Sequence, residues 1–174
     1  MRSTGAMVLS FFAAVWACLA LHLTGQALWT QLMPFAFSFA LTLAALNNDR
    51  HATPPTAEDR KRISRTVMIW SAVEGAVILA GVNVLQNIGF ADWTVAFVAT
   101  VVGLHFFPLA SGLRVPLYRL TGLGLIGVAV AGLALIPFGV TQQAAIGLGS
   151  ALVLWLTAFV VTAFTPRPKL VAAE

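Results

Sequence analysis

Six apolar stretches, each about as long as a bilayer is thick, alternate with short polar segments along this chain. They lie near 6–23, 27–46, 66–85, 93–113, 120–137 and 143–164. A transmembrane helix needs about 20 consecutive apolar residues, so each stretch is long enough to cross a membrane. Only 9% of the residues are charged, whereas a soluble domain carries about 25%. The sequence therefore predicts an all-α polytopic membrane protein, with six transmembrane helices in a single domain over 1–174.

The first two stretches are separated by a turn signal and not by a charge. No charged residue lies between Arg2 and Asp49, and the segment HLTGQ at 22–26 supplies the glycine that favours a turn. The first stretch is longer than the apolar region of a signal peptide, and no small-x-small cleavage site follows it. We therefore expect two helices here, the first of them retained.

All ten Lys and Arg residues lie outside the apolar stretches, in four segments. These are the N-terminus with Arg2, the segments 47–65 and 114–119, and the C-terminus with Arg167 and Lys169. With six spans, all four segments fall on one side of the membrane. The segments that connect the spans on the other side contain no Lys or Arg. The positive-inside rule then predicts that both termini are cytoplasmic.

The largest polar segment, 47–65, is predicted to be a basic cytoplasmic loop. The proline pair at 54–55 predicts an extended break, and Thr56 with Asp59 resembles a capping box that starts a helix near Ala57. This helix should continue into span three. Its basic residues serve chiefly as an orientation signal, and binding of anionic lipid is the alternative.

Two side chains that can ionise near neutral pH lie deep within the predicted spans, Glu74 in span three and His105 in span four. Glu74 follows Arg65 by nine residues, and His105 precedes Arg114 by nine. At about 1.5 Å per residue, each lies roughly 13 Å inside the cytoplasmic boundary. Because a short outer turn joins these antiparallel spans, they should be neighbours. We expect the two side chains to meet and to titrate as a coupled unit.

A polar pocket is expected around this pair. A lone carboxylate at such depth costs at least about 2.5–3.5 kcal/mol, which pairing or protonation lowers. A proline at position 108 cannot donate to the carbonyl of Leu104, and a freed carbonyl in lipid must find a partner or line a cavity. The predicted pocket residues are Glu74, His105, Ser71 and Pro108. In the structural alternative, the same residues only bridge or kink helices.

Glycines recur in the predicted spans at positions that favour close helix packing. The candidates are Gly81, Gly112, Gly122, Gly127, Gly132 and Gly147. Gly81 and Gly112 share the helix faces of Glu74 and His105 and would let spans three and four approach closely. The glycines of the last two spans could instead support a homo-oligomer.

Several classes of function are disfavoured by what the sequence lacks. There is no basic stripe with interleaved aromatics, so the net charge of +4 does not indicate nucleic-acid binding. Cys18 is the only cysteine and cannot form an internal disulfide. No phosphate-binding loop, zinc motif or nucleophile elbow is present. One glutamate and one histidine fall two ligands short of a structural zinc site. We therefore predict neither a metal nor a cofactor.

The segment GLHFFPLA at 103–110, with an intramembrane glutamate upstream, resembles a pattern of small, uncharacterised multi-pass proteins of bacterial inner membranes. The resemblance covers spans three and four. It implies that Glu74, His105 and Pro108 belong to a shared motif, and it implies no particular activity.

The leading functional hypothesis is a small proton-linked transporter, or a ligand-binding membrane protein, of a bacterial cytoplasmic membrane. Its partners would be the lipid bilayer, a proton or small-molecule ligand, and a second copy of the chain. Two alternatives stay open. One is a non-catalytic subunit that assembles through glycine-rich helices, and the other is a membrane enzyme that acts on a lipid-soluble substrate.

Overall fold

The computed structural model describes residues 2–49, 56–135, 137 and 140–163, and it is all-α. The six α-helices are α1 (Arg2–Leu23), α2 (Leu28–Asp49), α3 (Ala57–Asn87), α4 (Thr94–Leu113), α5 (Leu117–Leu133) and α6 (Val140–Ala163). A 3₁₀ turn over Ala91–Trp93 precedes α4. Five helices are long and apolar enough to cross a membrane, and α5 is apolar but only 17 residues long. The all-α prediction is confirmed.

Local signals in the sequence set two of the helix boundaries. Gly25 adopts a φ of +69° between α1 and α2, and its N–H donates to the carbonyl of His22 at 3.0 Å. Few residues other than glycine adopt such a φ without strain. The Thr56 hydroxyl accepts a hydrogen bond from the Asp59 N–H at 3.1 Å and caps α3, which begins at Ala57 as predicted. The proline pair at 54–55 lies outside the described residues.

The helices pack in an order that differs from their order in the chain. α1 packs against α2 and α6, α6 against α5, α5 against α4, and α4 against α3. The outermost helices of this series are thus α2 and α3. No residue of α3 is buried, so most of the surface of this helix is free of contact with the rest of the chain.

Small side chains let the central helices approach closely. On α6, a Cβ atom added at Gly147 would lie 2.9 Å from the Cβ of Ala20 and 3.1 Å from the carbonyl oxygen of Trp16, both on α1. α4 and α5 meet at Gly103 and Gly122, where a Cβ added to either residue would lie within 3.0 Å of the other's carbonyl oxygen. Close contacts of this kind are typical of helices that pack in a membrane, where lipid removes the hydrophobic driving force for association.

Hydrogen bonds between side chains reinforce this packing across several helices. The Ser38 hydroxyl on α2 donates to the carbonyl of Ser10 on α1 at 2.7 Å and accepts from the indole N–H of Trp155 on α6 at 2.8 Å. The hydroxyls of Thr121 and Thr157 lie 2.8 Å apart and join α5 to α6. These groups are buried or nearly so, and each satisfies a polar atom that lipid could not.

The outer surface of the bundle is apolar. More than half of each of several large apolar side chains is exposed, among them Phe12, Phe39, Met68, Leu120 and Leu156 on five different helices. A soluble monomer rarely exposes so many large apolar side chains. The exposed surface is consistent with a protein whose helices lie in a membrane.

Candidate functional site: a glutamate–histidine pair between α3 and α4

The structure brings Glu74 and His105 together between α3 and α4. Nδ1 of His105 lies 3.4 Å from Oε2 of Glu74. The His105 side chain is 9% exposed and that of Glu74 is 20% exposed. The pair is therefore largely shielded by the two helices, while one fifth of the Glu74 side chain stays exposed.

The contact follows from a constant antiparallel register between the two helices. Near the C-terminal end of α4, a Cβ added at Gly112 would lie 2.5 Å from the Thr66 methyl carbon, and near its N-terminal end the ring of Phe97 lies against Gly81. Glu74 lies eight residues after Thr66 and seven before Gly81. These intervals correspond to about two helical turns. The two close glycine contacts therefore hold the helices together on both sides of the pair.

A backbone carbonyl determines which ring nitrogen of His105 carries hydrogen. Nδ1 lies 3.2 Å from the carbonyl oxygen of Trp70, one turn before Glu74 on α3. A carbonyl oxygen only accepts hydrogen bonds, so Nδ1 must be the protonated nitrogen and the donor. In the neutral ring Nε2 then carries the free lone pair, and no hydrogen bond reaches it from the described residues. The ring can accept a second proton there and become an imidazolium ion.

The other two predicted pocket residues lie outside this contact. Ser71 is exposed and forms no side-chain hydrogen bond with Glu74 or His105. Pro108 is half-buried within α4, which continues through it to Leu113. The structure thus brings together two of the four predicted residues.

Two cavities lie elsewhere in the bundle. One, of about 210 Å³, lies between α5 and α6 and is lined almost entirely by apolar atoms. The other, of about 360 Å³, lies between α1 and α2, where His22, Gln31 and Cys18 contribute to its lining. Neither is lined by Glu74 or His105, and the pair lies instead where α3 meets α4.

The remaining predicted glycines have two kinds of surroundings. Gly122 lies against the backbone of α4, Gly132 against Ile146, and Gly147 against α1. At Gly127 an added Cβ would find no atom within 4 Å. Gly127 therefore faces outward, and no described residue packs against this position.

Sequence reasoning missed the contribution of Trp70, because any residue could supply this carbonyl. Its position four residues before Glu74 is the one usable signal, since residues at i and i+4 share a helix face. Thr66 and Phe97 were also missed as the partners of Gly112 and Gly81. Only the helix register, which the sequence does not state, places them opposite these glycines.

Within the described residues, no group of three His, Cys, Asp or Glu side chains comes together. Comparisons of the chain with protein-family models, with curated proteins and with solved structures find no match. The resemblance of the segment 103–110 to bacterial inner-membrane proteins therefore stays a prediction. Function has to be inferred from the site itself.

Proposed function

We propose that this protein crosses a bacterial cytoplasmic membrane six times, with both termini in the cytoplasm. Five helices are long and apolar enough to cross a membrane. The 17 residues of α5 correspond to about 25 Å, close to the lower limit for a span. The ten Lys and Arg residues lie on one side only if α5 also crosses. Their distribution is the main support for the sixth span and for the orientation.

We propose further that the protein is a small proton-linked transporter or ligand-binding membrane protein, with its site at the Glu74–His105 pair. One observation carries this proposal: a carboxyl group and an imidazole lie 3.4 Å apart in the middle of two long apolar helices. Ionisable residues inside membrane spans are expensive, and they usually mark ion pathways or proton relays. Here the costly group is paired but not fully enclosed, as proton exchange requires.

The pair can hold its proton in two ways. The imidazolium of His105 neutralises an ionised Glu74, or the proton lies on the carboxyl group and the ring is neutral. A ligand that binds next to the carboxyl group changes the balance between these states and thereby takes up or releases a proton. Nδ1 stays a donor to the Trp70 carbonyl in both states, so the ring keeps its orientation while the charge changes.

A second candidate, a non-catalytic subunit, is supported by the open surroundings of Gly127. This glycine lies among exposed apolar side chains of α5, with Leu123 and Val130 on the same helix. A neighbouring helix could approach closely there. A subunit of this kind predicts that Gly127→Leu disrupts an assembly while Glu74→Gln is tolerated.

The test of the proposed function is proton flux in proteoliposomes. Vesicles that contain a pH-sensitive dye are exposed in turn to lipid-soluble cations, carboxylates and sugars. We expect one class to move protons through the wild type, and Glu74→Gln to abolish this flux while the variant keeps its helical circular dichroism. Glu58→Gln, which changes an exposed carboxyl group at the start of α3, is the matched control. Flux that survives Glu74→Gln, or no flux with any class, would refute the proposal.

A further inference from the structure

The Glu74–His105 pair lies at the edge of the bundle and is partly exposed, with 20% of the Glu74 side chain and 9% of the His105 side chain accessible. α3 has no buried residue, and among the helices it packs chiefly against α4. Two sequence neighbours of the pair are apolar and exposed: Trp70, one turn before Glu74 on α3, is 40% exposed, and Leu104, next to His105 on α4, is 55% exposed. Because α3 crosses the membrane in the proposed arrangement, a molecule that reaches the pair comes sideways out of the bilayer.

The charges near the pair favour a cation. Among the described residues of α3, α4 and the 3₁₀ turn, His105 is the one ionisable group that touches Glu74. The next charges along these elements are Arg65 and Arg114 toward the cytoplasm and Asp92 at the opposite end. Each of the two arginines is nine residues from its nearer member of the pair, which corresponds to roughly 13 Å. When His105 is neutral, the carboxylate has no neighbouring positive charge.

We propose that the partly exposed Glu74–His105 pair binds lipid-soluble cations, which reach it from the bilayer between α3 and α4. This inference rests on the proposed function and names its class of ligand. The carboxylate supplies the countercharge. The exposed indole of Trp70, one turn away on α3, supplies an aromatic face of the kind that attracts cations. A lipid-soluble anion would be repelled by the carboxylate, and a sugar would leave its hydroxyl groups unpaired among apolar side chains.

The binding of a cation in exchange for a proton conserves the charge of the site. The cation binds ionised Glu74 while His105 is neutral, with its hydrogen on Nδ1. The proton that the pair held leaves to water as the cation arrives. No bond of the ligand is broken. A low pH should therefore oppose binding, because a proton on either Glu74 or His105 removes the net negative charge that attracts the cation.

The test uses the full-length protein in phosphatidylcholine nanodiscs, with tetraphenylphosphonium as the probe. Tetraphenylborate, which has nearly the same size and shape and the opposite charge, is the matched control ligand, and empty nanodiscs give the partition into lipid. We expect saturable binding of the phosphonium and none of the borate. Glu74→Gln should weaken phosphonium binding at least tenfold, Glu74→Asp should retain part of the affinity, and Glu58→Gln should leave it unchanged.

The pH dependence separates binding at the pair from a general loss of folding. Lowering the pH from 8 to 5 should weaken binding at least tenfold in the wild type. It should still weaken binding in His105→Ala, where the carboxyl group remains, and it should have no effect on whatever binding is retained when Glu74→Gln and His105→Ala are combined. Equal binding of the two probes, or an affinity unchanged by Glu74→Gln, would overturn the assignment.

The failure of this inference differs from the failure of the proposed function. If phosphonium does not bind but another compound class drives Glu74-dependent proton flux, the cation assignment is wrong and the proton-linked function stands. If phosphonium binds through Glu74 and no proton is released, the cation site stands and the proton linkage is wrong.

Discussion

The contact between α4 and α5 should be the part of the fold most sensitive to a single methyl group. At Gly122 an added Cβ would lie 2.5 Å from the carbonyl oxygen of Gly103, whereas ordinary contact begins at 3.4 Å. The obstacle is backbone and cannot rotate away. Gly122→Ala must therefore force the two helices about 1 Å apart, and a gap of this size removes a quarter to a half of each dispersion contact nearby.

The expected loss of stability follows from this geometry. Overpacking of a well-packed interface destabilises the fold by about 1–3 kcal/mol. Replacing glycine by alanine within a helix stabilises the helix by about 0.5–1 kcal/mol, which offsets part of this loss. We expect Gly122→Ala to lower the free energy of unfolding by roughly 1–2 kcal/mol. Gly127→Ala is the matched control on the same helix, because nothing lies within 4 Å of its added Cβ. It should leave stability unchanged or raise it slightly.

The assay is reversible unfolding in mixed lipid–detergent micelles, with helical circular dichroism recorded as the denaturing detergent increases. Gly122→Ala should shift the midpoint toward lower detergent, and Gly127→Ala should not. Identical midpoints for the two variants would refute the backbone contact between α4 and α5. The order in which the helices pack would then have to be revised.

Two further predictions concern hydrogen bonds at other positions. Ser38→Ala removes the acceptor of the Trp155 indole and the donor to the Ser10 carbonyl. It should destabilise the protein by about 1–3 kcal/mol in the same unfolding assay. Trp155→Phe should lower the free energy of unfolding by less than Ser38→Ala does. A larger decrease in Trp155→Phe would argue against the role given to Ser38. Thr56→Ala removes the cap that binds the Asp59 N–H and should cost about 1 kcal/mol. Amide hydrogen exchange should rise only in the first turn of α3, and a change spread along the whole helix would contradict this.

The helices could be predicted from the sequence because their signals are local. The lengths of the apolar stretches predict the helices. Gly25 predicts the turn between α1 and α2, and Thr56 with Asp59 predicts the start of α3. The fifth stretch was placed at 120–137, whereas α5 runs over Leu117–Leu133. Its start was misplaced because Arg119 suggested a boundary, and a charged residue in the first turn of a helix can still reach the membrane surface.

The order of packing could not be predicted in the same way. α1 lies against α6 because small residues on the two helices, such as Ala20 and Gly147, fit one another. Each helix also carries small residues on other faces. Nothing local indicates which of these faces will meet, because the choice depends on all six helices together. The packing order is therefore a property of the structure.

The candidate site was partly predictable because two distances in the sequence agree. Glu74 lies nine residues after Arg65, and His105 lies nine residues before Arg114. Two antiparallel neighbouring helices therefore bring the pair to the same depth in the bundle. Depth alone does not determine the faces that meet. The Trp70 carbonyl that orients the ring, and the absence of Ser71 from the contact, depend on the rotation of α3 against α4.

The most direct test of the central claim is an infrared pH titration of the full-length protein in lipid. The wild type is compared with Glu74→Gln and His105→Ala. If the two residues form a coupled, titratable pair, a protonated-carboxyl band will disappear in Glu74→Gln, and its titration will shift in His105→Ala. A Glu74 band whose titration is the same with and without His105 would contradict the coupling, and the contact would then serve helix packing alone.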